Sequence, residues 1–166
     1  TGAVLLPIKS KQASELELAG RLEAHARAPI HARVAGYLKS WKVDIGSEVK
    51  ASQLLAEIET PELDQQLLQA RADLASAQAN ATMAQKSARR WQAMVGSDAV
   101  SQQEADEKSN DLMVKQSVVK ALQANVERME VLKGFARIQA PFAGTVTARS
   151  TDVGALINPG SSGGAE

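Results

Sequence analysis

Few side chains in this sequence could bind a metal or move a proton, and they are scattered. His25 and His31 both fall on the polar side of an alternating stretch. Six residues of strand would hold them roughly 20 Å apart, too far to share a metal. Met83, Met94, Met113 and Met129 form no group of soft donors of the kind that copper or silver needs. Cysteine is absent, so there is neither a thiolate site nor a disulfide framework. Asp44 and Asp152 each stand two residues ahead of a glycine, a context that makes them turn formers rather than a catalytic pair. No nucleophile and base, phosphate loop or ligand motif occurs at a recognisable spacing. The residues therefore predict non-covalent work, with no enzymatic activity, no cofactor and no metal.

The totals narrow the class further. The chain has 166 residues, 44% hydrophobic and 23% charged, an ordinary balance for one or two packed cores. Nineteen basic residues offset nineteen acidic ones with no basic stripe, which argues against a nucleic-acid partner. Aromatic side chains make up only 3% (Tyr37, Trp41, Trp91, Phe135 and Phe142), too few for a large aromatic-lined pocket. No apolar run reaches the roughly 18 residues that a membrane span needs. The opening TGAVLLPIKSK is short and broken by Pro7, unlike a signal sequence.

From Leu16 to Ile30 apolar residues fall almost entirely on even positions and charged ones on odd positions, which predicts a half-buried strand. Residues 32–59 alternate short apolar pieces with turn residues, as several small strands would. At Thr60 the pattern changes. Thr60 can cap a helix, Pro61 suits its first position, and Glu62 and Asp64 complement the positive end of its dipole. Apolar positions then recur at Leu63, Leu67, Ala70, Leu74, Ala77, Ala81, Ala84, Ala88, Trp91 and Val95, in steps of four and three without a slip. That is a coiled-coil seam, and at about 1.5 Å per residue its helix reaches roughly 50 Å, long enough to project from a small domain.

Gly96 is placed to end this helix, and Ser101-Gln-Gln-Glu104 reads as a capping box that opens another. The second seam, Leu112, Val119, Leu122, Val126 and Met129, is looser and is interrupted by Lys115. Lys133 followed by Gly134 is expected to stop it, with the glycine just past the helix end. A short connection makes the helices antiparallel, and the alanine-rich first seam lets them approach closely.

The segments flanking this hairpin are related. Shifted by 108 positions, Ala32, Ala35, Gly36, Asp44 and Gly46 fall on Ala140, Ala143, Gly144, Asp152 and Gly154. Val34, Leu38 and Ile45 meet Phe142, Val146 and Val153, so apolar sites stay apolar. Glycines kept at the same spacing imply matching backbone turns at Gly36 and Gly144 and at Gly46 and Gly154. Two related half-motifs are thus expected to close on each other as one β-domain, with the hairpin inserted where they join. The fold class is α+β.

This arrangement resembles the biotinyl/lipoyl fold, whose carrier members present a lysine between the halves. Here Glu59-Thr60-Pro61-Glu62 offers none at that turn. GYLKSWKVDIGSEVKASQLLAEIETPELD, the long hairpin and IQAPFAGTVTARSTDVGALI together resemble the periplasmic adaptor subunits, or membrane fusion proteins, of tripartite efflux pumps. The resemblance implies a lipoyl-like β-sandwich split by the hairpin. Its parts would be residues 1–31, with a strand of a β-barrel domain; 32–59, the first lipoyl-like half; 60–135, the hairpin; 136–160, the second half; and 161–166, a linker toward the rest of the barrel.

It further implies a non-enzymatic role in the periplasm of a Gram-negative bacterium, attached to the inner membrane. The partners would be an inner-membrane transporter of the resistance-nodulation-division (RND) type, an outer-membrane channel and further copies of the chain, six in the family arrangement. RND adaptors carry Arg-x3-Leu-x6-Ser at the hairpin tip, and Arg90, Met94 and Ser101 stand at that spacing with Met in place of Leu. Capping already accounts for Ser101, the helix dipole favours Arg90 whatever it contacts, and Trp91 and Val95 continue the seam. Type I secretion or ABC-type exporters use related adaptors, often with longer hairpins than the 34 or so residues per arm here. A coiled-coil holder of unfolded chains and a biotin or lipoate carrier are the readings from other classes.

Overall fold

The computed structural model describes residues 8–10, 27–97, 99–148 and 154–157. Its strands are β1 (Ile8–Ser10), β2 (Arg27–Ala28), β3 (Gly36–Trp41), β4 (Glu48–Val49), β5 (Leu54–Glu59), β6 (Arg137–Gln139), β7 (Gly144–Val146) and β8 (Leu156–Ile157). Between β5 and β6 lie α1 (Pro61–Met94) and α2 (Gln102–Gly134). The chain divides into two compact units, Thr1–Asp64 with Val131–Glu166, and Gln65–Glu130.

The first unit contains two antiparallel sheets, in the orders β2-β1-β7-β4 and β6-β5-β3-β8. The repeat explains how they are held. β3 pairs with β8 at Gly36↔Ile157 and Tyr37↔Leu156. β7 pairs with β4 at Gly144↔Val49 and Thr145↔Glu48. A shift of 108 turns one set into the other. The main-chain bonds reciprocate as well: Gly46 N donates to Val146 O at 2.7 Å and Gly154 N to Leu38 O at 2.7 Å, while Leu38 N donates to Ala155 O at 2.9 Å and Val146 N to Ser47 O at 3.0 Å. Each half therefore satisfies backbone groups of the other's turn, which buried amides require.

Gly46 and Gly154 sit at φ +92° and +90°, a left-handed conformation that glycine adopts without a Cβ penalty. The Asp44 turn closes locally, with Ser47 N donating to Asp44 O at 3.0 Å and Asp44 N to Ser47 Oγ at 3.1 Å. Asp152 lies outside the described residues.

The core draws equally on both halves. Leu38 and Val146, equivalent under the repeat, are each 1% exposed, and Ala32 and Ala140 are each 3% exposed. Val49, Leu55, Ala140 and Val146 form one cluster, with Ile30, Trp41, Val43 and Phe142 packed against it. Consecutive Leu55 and Ala56 are both buried where the pairing of β5 with β6 shifts register. Of the stretch expected as a strand over 16–30, most lies outside the described residues. Arg27 and Ala28 form β2, which joins β1 and through it β7.

Candidate docking site

The geometry of the hairpin is determined by its own seam. Leu63, Leu67, Ala70, Ala77, Ala84 and Ala88 are between 3% and 8% exposed, and Leu74, Ala81 and Trp91 are half-buried. Opposite them, Val126 is buried, while Leu112, Val119, Leu122 and Met129 are half-buried. Leu67, Ala70 and Val126 make a cluster that Leu74 and Met129 extend. Arg71 reaches across to Glu130 at 3.0 Å, but both are about half exposed, and such surface pairs contribute only about 0–1 kcal/mol. Packing of the small-residue seam therefore decides the association.

The second seam runs further than its apolar residues indicate. Ala105 is fully buried and Lys108 half-buried, so the interface follows Ala105, Lys108, Leu112, Lys115, Val119, Leu122, Val126 and Met129 in unbroken steps of three and four. Lys108 takes part because its ammonium lies 5.0 Å from the centroid of the Trp91 ring, a cation–π contact. A lysine at a seam position masks the heptad unless the facing tryptophan is taken into account.

At the tip, α1 ends at Met94 and Gly96 turns the chain at φ +100°. Ser97 Oγ donates to the Met94 carbonyl at 2.7 Å. Val100 is 8% exposed. The capping box forms in both directions: Glu104 N donates to Ser101 Oγ at 3.1 Å, and Ser101 N to Glu104 Oε1 at 3.1 Å. Arg90 and Ser101 are exposed and Met94 is half-buried. Together they offer a guanidinium, a hydroxyl and part of a thioether, which suit non-covalent recognition.

At the other end of the helices, two local expectations meet a different geometry. Thr60, 2% exposed, turns its hydroxyl sideways, donating to Asp64 Oδ1 at 3.1 Å and lying 3.4 Å from Lys133 Nζ. Lys133 pairs with Asp64, so one cluster ties the start of α1 to the end of α2. Gly134 is the last residue of α2 rather than a left-handed glycine beyond it; among the described residues the positive-φ glycines are Gly46, Gly96 and Gly154. The helix instead tightens, with Phe135 N donating to Leu132 O and Ala136 N to Lys133 O, each at 3.0 Å. This satisfies the terminal carbonyls without a left-handed residue.

The Lys133 hydrogen bond, aided by the Thr60 hydroxyl and opposed by partial burial, holds the Asp64 carboxyl below its ordinary 3.8. A carboxyl depressed on folding stabilises the fold above its unfolded pKa, and that contribution fades as pH falls through the lower folded value. Lys133→Met is therefore expected to lower the melting temperature at neutral pH and to move the Asp64 titration, followed by carboxyl NMR, upward. The difference from the parent should fade as the pH falls below 3.8 and through the lower folded value. An unmoved titration would contradict this account of the cluster.

Among the described residues no group of three or more His, Cys, Asp or Glu is placed to hold a metal. His31 is exposed and His25 lies outside the described residues. No helix among the described residues is long and apolar enough to cross a membrane.

Two sequence-related half-motifs that exchange backbone bonds, with an antiparallel helix pair inserted between them, define a lipoyl-like sandwich of the barrel-sandwich hybrid type. The chain belongs to the RND membrane fusion proteins: the family described as "RND MFP, barrel-sandwich hybrid domain" matches residues 26–165. It is 32% identical to Multidrug resistance protein MdtA of Klebsiella pneumoniae, over 98% of this chain and 41% of that protein. To MdtA of Yersinia pestis it is also 32% identical, over 94% of this chain and 36% of the relative. It thus spans less than half the length of the curated relatives it matches. Among solved structures, MacA from Actinobacillus actinomycetemcomitans shares the fold at a TM-score of 0.69 and 22% identity, covering 93% of this chain and 48% of that one.

Proposed function

We propose that this chain is part of a periplasmic adaptor linking an inner-membrane efflux transporter of the RND type to an outer-membrane channel, acting without catalysis. Residues 32–59 and 136–160 form the rigid mount, and residues 60–135 form the reaching element. Several copies, six in the family arrangement, assemble around the transporter at the inner membrane. Arg90, Met94 and Ser101 meet the channel.

One observation carries this reading. Two helices of 34 and 33 residues pack chiefly through each other's seams, while Arg90 and Ser101 at the tip stay exposed. A photo-reactive residue at position 94 is expected to cross-link the full-length protein to an outer-membrane channel in cells. Arg90→Glu, which replaces an attractive charge with a repulsive one, should reduce both that cross-link and drug export by about tenfold or more. Unchanged cross-linking and unchanged export would overturn the tip assignment.

A further inference from the structure

One edge strand of each sheet borders the same groove. Among the described residues β2 and β6 stand at the ends of their sheets, and the groove, about 660 Å³ and open to solvent, is lined by residues from 28–33 and from 131–141. Alternation decides which side chains reach it. Ala32 and Val34 are buried in the core, so His31 and Arg33 face outward. On β6, Ile138 is likewise buried between exposed Arg137 and Gln139.

The lining contains three residues that can carry positive charge, His31, Arg33 and Arg137, and no acid. On β5, beside β6, Glu57 is already held by Arg137 at 3.2 Å and by Lys42 at 3.3 Å, and Glu59 lies outside the lining. Glu130, which precedes Val131, pairs with Arg71, and Lys133 pairs with Asp64. Among the described residues no ion pair engages His31 or Arg33. The charge of Arg33 is therefore uncompensated within the groove.

Arg33 is also held in place. Its guanidinium carbon lies 5.1 Å from the centroid of the Phe135 ring, a cation–π contact. A guanidinium stacked in advance loses less freedom when it takes an anionic partner in its fork. Apolar surface adjoins it: Ile30 and Phe135 are half-buried, and Val131, on the last turn of α2, is 59% exposed. A staple between the two chain segments explains the Arg33–Phe135 pair but not the exposed valine beside it.

We propose that this groove is a binding site for a single amphiphilic anion. A carboxylate, sulfonate or phosphate head accepts hydrogen bonds from Arg33, with Arg137 at its side, while the apolar body lies on Phe135, Ile30 and Val131. The volume suits one drug-sized molecule. Because both arginines keep contact with water, charge orients the ligand and apolar contact supplies the rest of the affinity. The site goes beyond the adaptor reading, since binding here requires neither transporter nor channel.

Anilinonaphthalene sulfonate and N-phenylnaphthylamine offer the same rings with and without an anionic group. Each is titrated by fluorescence into the full-length protein and read as the difference between parent and variant, so that binding elsewhere cancels. Arg33→Gln is expected to weaken the sulfonate about tenfold and the uncharged probe by less than about twofold. Val131→Glu sets a carboxylate at the exposed rim and leaves Arg33 and Phe135 intact; it should keep the fold and also weaken the sulfonate about tenfold. Unchanged sulfonate binding in Val131→Glu, or equal losses of both probes in Arg33→Gln, would overturn the site. Phosphatidylglycerol vesicles carry the same chemistry on a lipid surface. Their co-sedimentation with parent and Val131→Glu should be equal, and a loss in the variant would assign the groove to a membrane surface and overturn the single-molecule ligand. The position-94 cross-link involves neither Arg33 nor Val131, so failure of this site leaves channel docking standing, and loss of the cross-link leaves this site standing.

Discussion

Gly36→Ala is expected to destabilise the sandwich by about 3 kcal/mol, the upper end for overpacking a well-filled site. A Cβ at Gly36 would stand 2.1 Å from the Glu59 carbonyl oxygen and 2.6 Å from Ile58 Cγ2. The isoleucine methyl can move aside by changing rotamer; the carbonyl cannot, because it belongs to the strand that pairs with β3 at Tyr37↔Glu59 and Leu38↔Ile58. Relief therefore requires the two strands to separate. Gly46→Ala is the informative comparison, since nothing lies within 4 Å of a Cβ there and only its φ of +92° resists, at a cost of about 1 kcal/mol. Urea denaturation of both variants should rank them in that order. Equal, small losses would mean that β3 and β5 lie further apart than described.

Ala77→Glu should have an effect of similar size confined to the other unit. Ala77 is 5% exposed in the helix seam, and a carboxylate there would be dehydrated without a partner, costing about 3 kcal/mol. Hydrogen exchange is expected to lose protection over Gln65–Glu130 while amides of β3 and β5 keep theirs, because the two units have separate cores. Gln78→Glu, one position along and exposed, should change stability by no more than about 0.5 kcal/mol. If both variants exchange like the parent, the alanine seam is not what joins the helices.

These expectations draw unequally on sequence and structure. The 108-residue repeat was legible because its glycines and alanines are dictated by backbone geometry, and Gly46 and Gly154 have nearly the same φ. The first helix was legible because alanine and leucine recur in its seam without interruption. The second was harder to read: Lys108 and Lys115 occupy seam positions, and only the stacking of Lys108 on Trp91 shows why a charge is tolerated at the first of them. Pairing registers were beyond reach. The shift that accompanies adjacent burial of Leu55 and Ala56 depends on β6, some eighty residues further along the chain. Thr60 shows a similar limit: its local context suggested a helix cap, whereas its hydroxyl donates to Asp64 and lies near Lys133, an arrangement that depends on the return of α2. At the tip, sequence supplied the identity and spacing of Arg90, Met94 and Ser101, and structure added their exposure.

The exchanged backbone bonds also set a schedule for biogenesis. During synthesis the turn at Gly46 waits for Val146, a hundred residues away, and meanwhile β3 and β5 have open edges. If the intervening segment were a flexible loop, closing it would cost entropy that grows with its length. Helix formation is fast and local, and a zipped pair brings Thr60 and Lys133 together before the second half must find the first. The inserted arm thus serves as a folding device: it turns a distant search into a short one and limits the time an unfinished sandwich spends exposed to stray strands.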